Sequence, residues 1–229
     1  FQKEADTLAA WDPYDQNASS SFFDPQWMFG FKDGFDVVIG NPPYVRVQNL
    51  SHELIDLYKR LWSTAWKRVD ISTLFMEASM HLCRRNGLVV FISSNQFLTT
   101  EYGQKTREFF LAKAGFIHII DLGDLPVFEN SLTYVSIFFM TPTPTTTFHY
   151  AKVKSLRFDP VPLVWESMHA STLGSDKWVL GSNVETKLIS HLTAANPVLS
   201  RYAKCWAGLF TGKDDLLLFD TSDERLNDI

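Results

Sequence analysis

"FDVVIGNPPYV", residues Phe35 to Val45, runs an apolar segment into an asparagine, two prolines and a tyrosine. Phe35 to Ile39 is apolar apart from Asp36 and rich in β-branched residues, the pattern of a strand covered on both faces. Gly40 lets the backbone approach a neighbour closely, and Pro42-Pro43 forbids a continued ladder or helix. Asn41 is thereby held at the carboxyl end of a strand, where open α/β sheets place their ligands. A plain reversal of the chain needs no such rigidity.

Around this turn the chain alternates. Residues 1–34 are turn-rich, mixing Asp, Pro, Asn and Ser with aromatics. Beyond the turn comes a polar stretch, then "DISTLFMEASMHLCRR", whose apolar residues from Thr73 onward predict a helix stopped by Asn86-Gly87. "GLVVFISS" reads as a second buried strand, and "YGQKTREFFLAKAG" as a helix closed by Gly115. "FIHIIDLG" and "LTYVSIFFM" supply two more strands, giving the rhythm of a doubly wound sheet. "TPTPTTT" breaks that rhythm and places a boundary near Pro144, dividing the chain into 1–144 and 145–229. Past it, "FHYAKVKSLRF" alternates and "SNVETKLISHLTAANP" suggests an amphipathic helix.

The composition narrows the class. The 229 residues are 45% hydrophobic and 21% charged, as in a globular protein with a real core. No apolar run approaches the roughly 18 residues of a membrane span. "FQKEADTLAAW" has neither the basic start nor the apolar centre of a signal peptide, so the chain reads as an internal piece of a longer polypeptide. The two cysteines, Cys83 and Cys205, lie far apart, which suggests neither zinc nor a disulfide framework and a reducing, cytoplasmic setting. "HEL" from His52 lacks a metalloprotease helix's second histidine, and no metal site is expected. The net charge of −5 argues against a surface that coats polyanions wholesale, though not against a local basic face.

The turn itself offers chemistry. The Asn41 side-chain carbonyl and the Pro42 main-chain carbonyl can converge, and Pro43 holds Pro42 extended so that its carbonyl is pre-aimed. Two converging acceptors suit the two hydrogens of an exocyclic amine and free its lone pair for attack. Tyr44 supplies a flat face for a base on which positive charge develops. Preorganised dipoles and alignment then carry the catalysis without a nucleophilic side chain. The basic pairs Lys59-Arg60 and Lys67-Arg68 follow the turn and are candidates for phosphate contact.

These residues resemble the gamma-class adenine-N6 DNA methyltransferases, in particular the methylase part of single-chain type II restriction-modification enzymes. The resemblance runs from about Asp12 to about Asp215 and rests on the "NPPY" turn and the blocks beside it. "DISTLFMEASMHL" is similar to the family's next helix, "GLVVFISSNQFLTTEYGQKTREFF" to its next strand and active-site loop, and "PVFENSLTYVSIFFM" to a wall of the target-base pocket. "LSRYAKCWAGLFTGKDD" looks like the start of a TaqI-like target-recognition domain.

That resemblance implies an α/β fold: the C-terminal half of a Rossmann-like mixed sheet with flanking helices, plus the beginning of the recognition domain. It implies S-adenosylmethionine as methyl donor and double-stranded DNA as partner, with Asn41, Pro42, Pro43 and Tyr44 as the catalytic turn. Asp24, in "FFDPQW", would accept a hydrogen bond from the cofactor's adenine, and Asp70 would sit on the cofactor side. Phe128 or Tyr134 would close the far face of an adenine taken out of the duplex. The family's first strand ends in a glycine-rich turn that cradles the cofactor. No such turn occurs here, so the first three strands are expected before Phe1 and the cofactor site is expected to be incomplete. Phe35–Ile39 would then be a sheet edge, covered by residues 1–34 or paired with a second copy as a dimer. Two other functions suit the same turn: amine methylation on protein glutamine or RNA, and DNA binding without catalysis.

Overall fold

The computed structural model describes residues 24–44, 50–128, 134–156 and 162–181, with a few isolated positions on either side. All of the expected helix over Ser182–Pro197 except Leu188, His191 and Leu192 (which are helical), most of the turn-rich 1–23 stretch, "ENSLT" (residues 129–133) and the recognition-domain start from Tyr202 lie outside the described residues. The chain divides into compact units Phe1–Thr186 and Lys187–Ile229, and the elements below belong to the first.

Six strands form one mixed sheet in the order β1-β2-β4-β3-β5-β6. They are β1 (Phe35–Gly40), β2 (Cys83–Ser94), β3 (Gly115–Asp121), β4 (Val135–Thr141), β5 (Thr147–Lys152) and β6 (Glu166–His169). β1 and β2 are parallel, as are β3 and β5, while β4 lies antiparallel between β2 and β3. β6 pairs antiparallel with β5. Residues 142–146, where the sequence suggested a boundary, connect β4 to β5 within this single sheet.

The helices are α1 (Pro25–Phe29), α2 (His52–Leu61), α3 (Ile71–Leu82), α4 (Gln96–Thr99) and α5 (Gln104–Ala112). One sheet face carries Val89, Phe91, Ile119, Phe138, Met140, Phe148 and Tyr150, all buried. They form one core with Met76 and Met80 of α3, Phe109 and Phe110 of α5, Phe97, Leu98 and Trp178. Its centre is aromatic: Phe116 lies 4.2 Å from Phe110 and 5.8 Å from Phe138 between ring centroids. A satellite of Ala65, Val69, Ile71 and Leu74 packs with Ile55, Tyr58 and Trp62 beside α2. On the other sheet face Leu88, Val90, Ile92, Ile120, Ile137 and Phe139 are half-buried.

Four expectations change. β1 lies at the edge of the sheet, as expected, but it is not covered on both faces: Val37 is 49% and Ile39 77% exposed. Phe29 and Phe31, from the run-in, pack on Phe35 at 6.2 and 5.2 Å, and the edge-strand dimer has no support here. The helix expected to stop at Asn86-Gly87 ends at Leu82, where the Cys83 N–H donates to the Ser79 carbonyl. Residues 84–87 bulge out of β2 instead, since Phe35 pairs with Cys83 but Val37 pairs with Leu88. An Asn-Gly pair serves a bulge as well as a helix stop. Gly87 is needed there, because a Cβ would fall 2.4 Å from the Cys83 sulfur. Gly115 opens β3 rather than closing α5, which already ends at Ala112. The "polar stretch" after the turn contains α2, capped by the Ser51 hydroxyl accepting from the Leu54 N–H at 3.3 Å.

Candidate active site

The site is built at the carboxyl ends of β1, β2 and β3, which the sheet order brings side by side around β4. Gly40 ends β1 against Phe91 of β2, and a Cβ on it would meet the Phe91 ring at 2.9 Å. The strand therefore reaches its turn pressed onto a buried ring. Pro42 is buried, while Asn41 and Pro43 are exposed. Tyr44 is 38% exposed, and its hydroxyl donates to the Ile92 carbonyl of β2 at 3.3 Å. Burial raises the Tyr44 phenol above its ordinary pKa, so it stays neutral and keeps its proton for that bond.

Phe128, half-buried at the end of the loop after β3, meets Tyr44 with ring centroids 5.7 Å apart and planes at 59°. Two aromatic rings from different strand ends thus stand at one place. Tyr134, the alternative partner, is 55% exposed, and its main-chain carbonyl accepts from the Asn95 N–H at 3.2 Å.

At the end of β3, the strand that leads into the Phe128 loop, lies a polar cluster that the sequence reading did not find. Asp121, the last residue of β3, accepts at Oδ1 from Asn95 Nδ2 (3.1 Å), the Ser136 hydroxyl (3.3 Å) and the Gly123 N–H (2.9 Å). Its Oδ2 accepts from the Tyr150 hydroxyl at 2.9 Å. Asn95 Nδ2 also donates to Ser136 Oγ at 3.1 Å. The signals were a polar residue at each strand end, in "SSNQF" and "IIDLG", but nothing local says that they meet.

The two cofactor candidates both cap helices. Asp24 Oδ1 accepts from the Gln26 and Trp27 N–H groups at 3.0 Å each, at the start of α1. Asp70 Oδ1 accepts from the Ser72 N–H at 3.0 Å and the Ser72 hydroxyl at 2.7 Å, at the start of α3. A carboxylate offers about four acceptor sites, so a cap leaves capacity and fixes the rotamer.

Lys67 and Arg68 leave α2's neighbourhood on a left-handed residue, Lys67 at φ 50°. Lys67 pairs with Glu101 and lies 4.5 Å from the Trp66 ring centre, while Arg68 lies 5.7 Å from that of Tyr102. Lys59 and Arg60 are exposed in the last turn of α2. The segment between them is held by Glu77 of α3, which accepts from the Ser63 N–H (3.1 Å), the Ser63 hydroxyl (2.7 Å) and the Thr64 N–H (2.8 Å). Burial works to raise the Glu77 carboxyl, but these donors outweigh it and hold it below the usual range. Among the described residues no group of three or more His, Cys, Asp or Glu could hold a metal, and no helix is long and apolar enough to cross a membrane.

The mixed sheet that carries the Asn-Pro-Pro-Tyr turn at the end of its edge strand is also found in a solved structure. The chain superposes on the crystal structure of the type IIG restriction endonuclease BpuSI with a TM-score of 0.50 at 16% identity, covering 84% of this chain and 27% of that one. The Eco57I restriction-modification methylase family model matches residues 2–128. The chain belongs to that family. It is 29% identical over 157 residues to the Escherichia coli type II restriction enzyme and methyltransferase RM.Eco57I, covering 66% of this chain and 16% of that one. It is 26% identical over 205 residues to the Pseudomonas aeruginosa type II methyltransferase M.PaeR7I, covering 81% of this chain and 35% of that one. The chain thus spans well under half the length of these relatives.

Proposed function

We propose that this chain is part of an adenine-specific DNA methyltransferase that methylates the N6 amine of a base taken out of the duplex. The observation that carries the reading is the Tyr44–Phe128 pair standing beside the Asn41–Pro42 turn, in a chain of the Eco57I methylase family. Two rings near a pair of acceptors are what an extruded base with an exocyclic amine needs.

S-adenosylmethionine, when bound, supplies an electrophilic methyl group. Asp24 and Asp70 are the residues of this chain that would hold it, each with its carboxylate already oriented by a helix cap. The Asn41 and Pro42 carbonyls accept the two amine hydrogens and draw the nitrogen toward a tetrahedral shape. Tyr44 stacks on the base and stabilises its developing positive charge, and Phe128, once parted from the Tyr44 ring it touches, closes the other side. Phosphate contacts from Lys59, Arg60, Lys67 and Arg68 help offset the few kcal/mol of unstacking and unpairing. Residues 145–229 would supply the linker and, from Leu199, the start of the recognition domain.

Methyl transfer from labelled S-adenosylmethionine to DNA, RNA and a glutamine peptide, followed by digestion of the product to nucleosides, tests the reading. N6-methyladenine from DNA alone is expected. Label on cytosine, or on the peptide or RNA in preference to DNA, would sink it.

A further inference from the structure

We propose that Asp121 is a positioning residue for the base pocket, acting through Phe128. This rests on the reading of Tyr44 and Phe128 as the two sides of that pocket. Asp121 ends β3 and binds four groups that come from four separate places in the chain. Asn95 follows β2, Ser136 lies in β4, Tyr150 lies in β5, and the Gly123 N–H belongs to the loop itself. Ser136 and Tyr150 are buried, so the carboxylate is anchored on the closed side of the sheet rather than on mobile surface groups.

The bond to Gly123 starts the loop. Gly123 is left-handed, at φ 58°, a conformation glycine adopts without a Cβ penalty. The loop then continues through the Leu125 N–H to the Leu122 carbonyl (3.1 Å) and the Val127 N–H to the Leu125 carbonyl (2.8 Å). Phe128 comes next, against Tyr44. One carboxylate therefore sets the departure angle of a short loop whose last residue is a pocket ring. The same carboxylate holds Asn95, which opens α4. It fixes the two strand ends on either side of β4 relative to one another. A misplacement of about 1 Å at a reacting centre can cost on the order of 10²-fold in rate. A ring that aligns a base is exposed to that penalty through its anchor.

The test is a double-mutant cycle in the full-length protein, read by single-turnover methyl transfer to DNA. Asp121→Ala is expected to slow transfer by roughly 10- to 100-fold. Phe128→Ala is expected to fall by a similar factor, and the double variant no further than Phe128→Ala alone, because one residue acts through the other. Tyr150→Phe removes one bond while keeping the ring in the core. It should slow transfer by about two- to fivefold, and this loss too should vanish in the Phe128→Ala background. Asp121→Asn, which keeps one acceptor oxygen, should recover most of the rate. Multiplicative losses in either cycle would overturn the proposal, since Asp121 would then act elsewhere. So would a neutral Phe128→Ala. Should either of those results appear while Asn41→Ala still abolishes transfer, the methyltransferase reading stands and only the Asp121 proposal falls.

Discussion

The turn after β1 and the loop after β3 each bring one aromatic ring to the same place, and they are stiffened by different means. The turn is held by covalent rings: Pro42 and Pro43 fix their own φ angles, and Gly40 lets the strand lie on Phe91. The loop is held by hydrogen bonds gathered on Asp121 from residues as distant in sequence as Asn95 and Tyr150. The first kind of rigidity needs no folded partner, whereas the second exists only once the sheet has formed. A substitution should therefore act locally in the turn, and through the sheet in the loop.

The largest effect is expected in the turn. Asn41→Ala should lower the methyl-transfer rate by about 10²–10³-fold, the usual loss for one preorganised polar contact to a reacting centre. DNA affinity should stay near normal, because one exposed side chain adds little to ground-state binding. Single-turnover kinetics with a binding titration separates the two. A fall of less than about tenfold would remove Asn41 from the reacting centre.

Next come the rings. Tyr44→Ala should cost about 1–3 kcal/mol of stacking on a fully paired site, and less on a site whose target adenine is mismatched. Fluorescence of 2-aminopurine at the target position reports extrusion on both substrates. Equal losses on the two would show that Tyr44 does not hold the extruded state. If the comparison between turn and loop holds, Phe128→Ala should behave alike while leaving the Tyr44 hydroxyl bonded to Ile92.

How far the sequence revealed this site follows from the same contrast. The strand-then-Asn-Pro-Pro-Tyr pattern could be read directly, because prolines and a glycine impose geometry on their own neighbours. Asp121 could not be singled out, since its four partners are assembled by strand order. The fold class was legible from the alternation of strands and helices. The antiparallel insertion of β4 between β2 and β3 left no mark in that alternation. β1 misled for a different reason: Val37, Val38 and Ile39 look buried on both faces, whereas the sheet covers one. The α2 helix was legible and passed over, with Ser51 as cap and Leu54, Ile55 and Tyr58 on one face.

A third region is stiffened by charge. Glu77 anchors the segment around Ser63 and Thr64 that follows α2, and its donors hold it ionised. Its folded pKa is depressed, so its contribution is fully present above the unfolded carboxylate value of about 4.3 and is lost as pH falls through the folded value. Glu77→Gln should destabilise the protein at pH 7 by about 1–2 kcal/mol, less than a full set of hydrogen bonds to a charge. The difference from the parent should shrink on acidification below about pH 4.3. Denaturant unfolding at both pH values checks this, and a gap independent of pH would mean that the charge is not what matters.

The smallest effect concerns Lys67, whose ammonium pairs with Glu101 rather than standing ready for a phosphate. Both side chains are largely exposed, so the pair should matter little to stability. It should matter to DNA. The positive φ at Lys67 and the Trp66 ring beneath the ammonium keep the side chain near one place, so an approaching phosphate competes with Glu101 for it. Glu101→Gln removes the competitor and should tighten DNA binding about two- to threefold at low salt, with the gain fading as salt screens it. Lys67→Ala should weaken binding evenly across sequences and lower the slope of log affinity against log salt by about one. Lys59→Ala is the comparison, since Lys59 lies in the last turn of α2 and is not part of the Lys67–Glu101 pair. If Glu101→Gln leaves affinity unchanged while Lys59→Ala lowers the salt slope, the phosphate track follows α2 and bypasses Lys67.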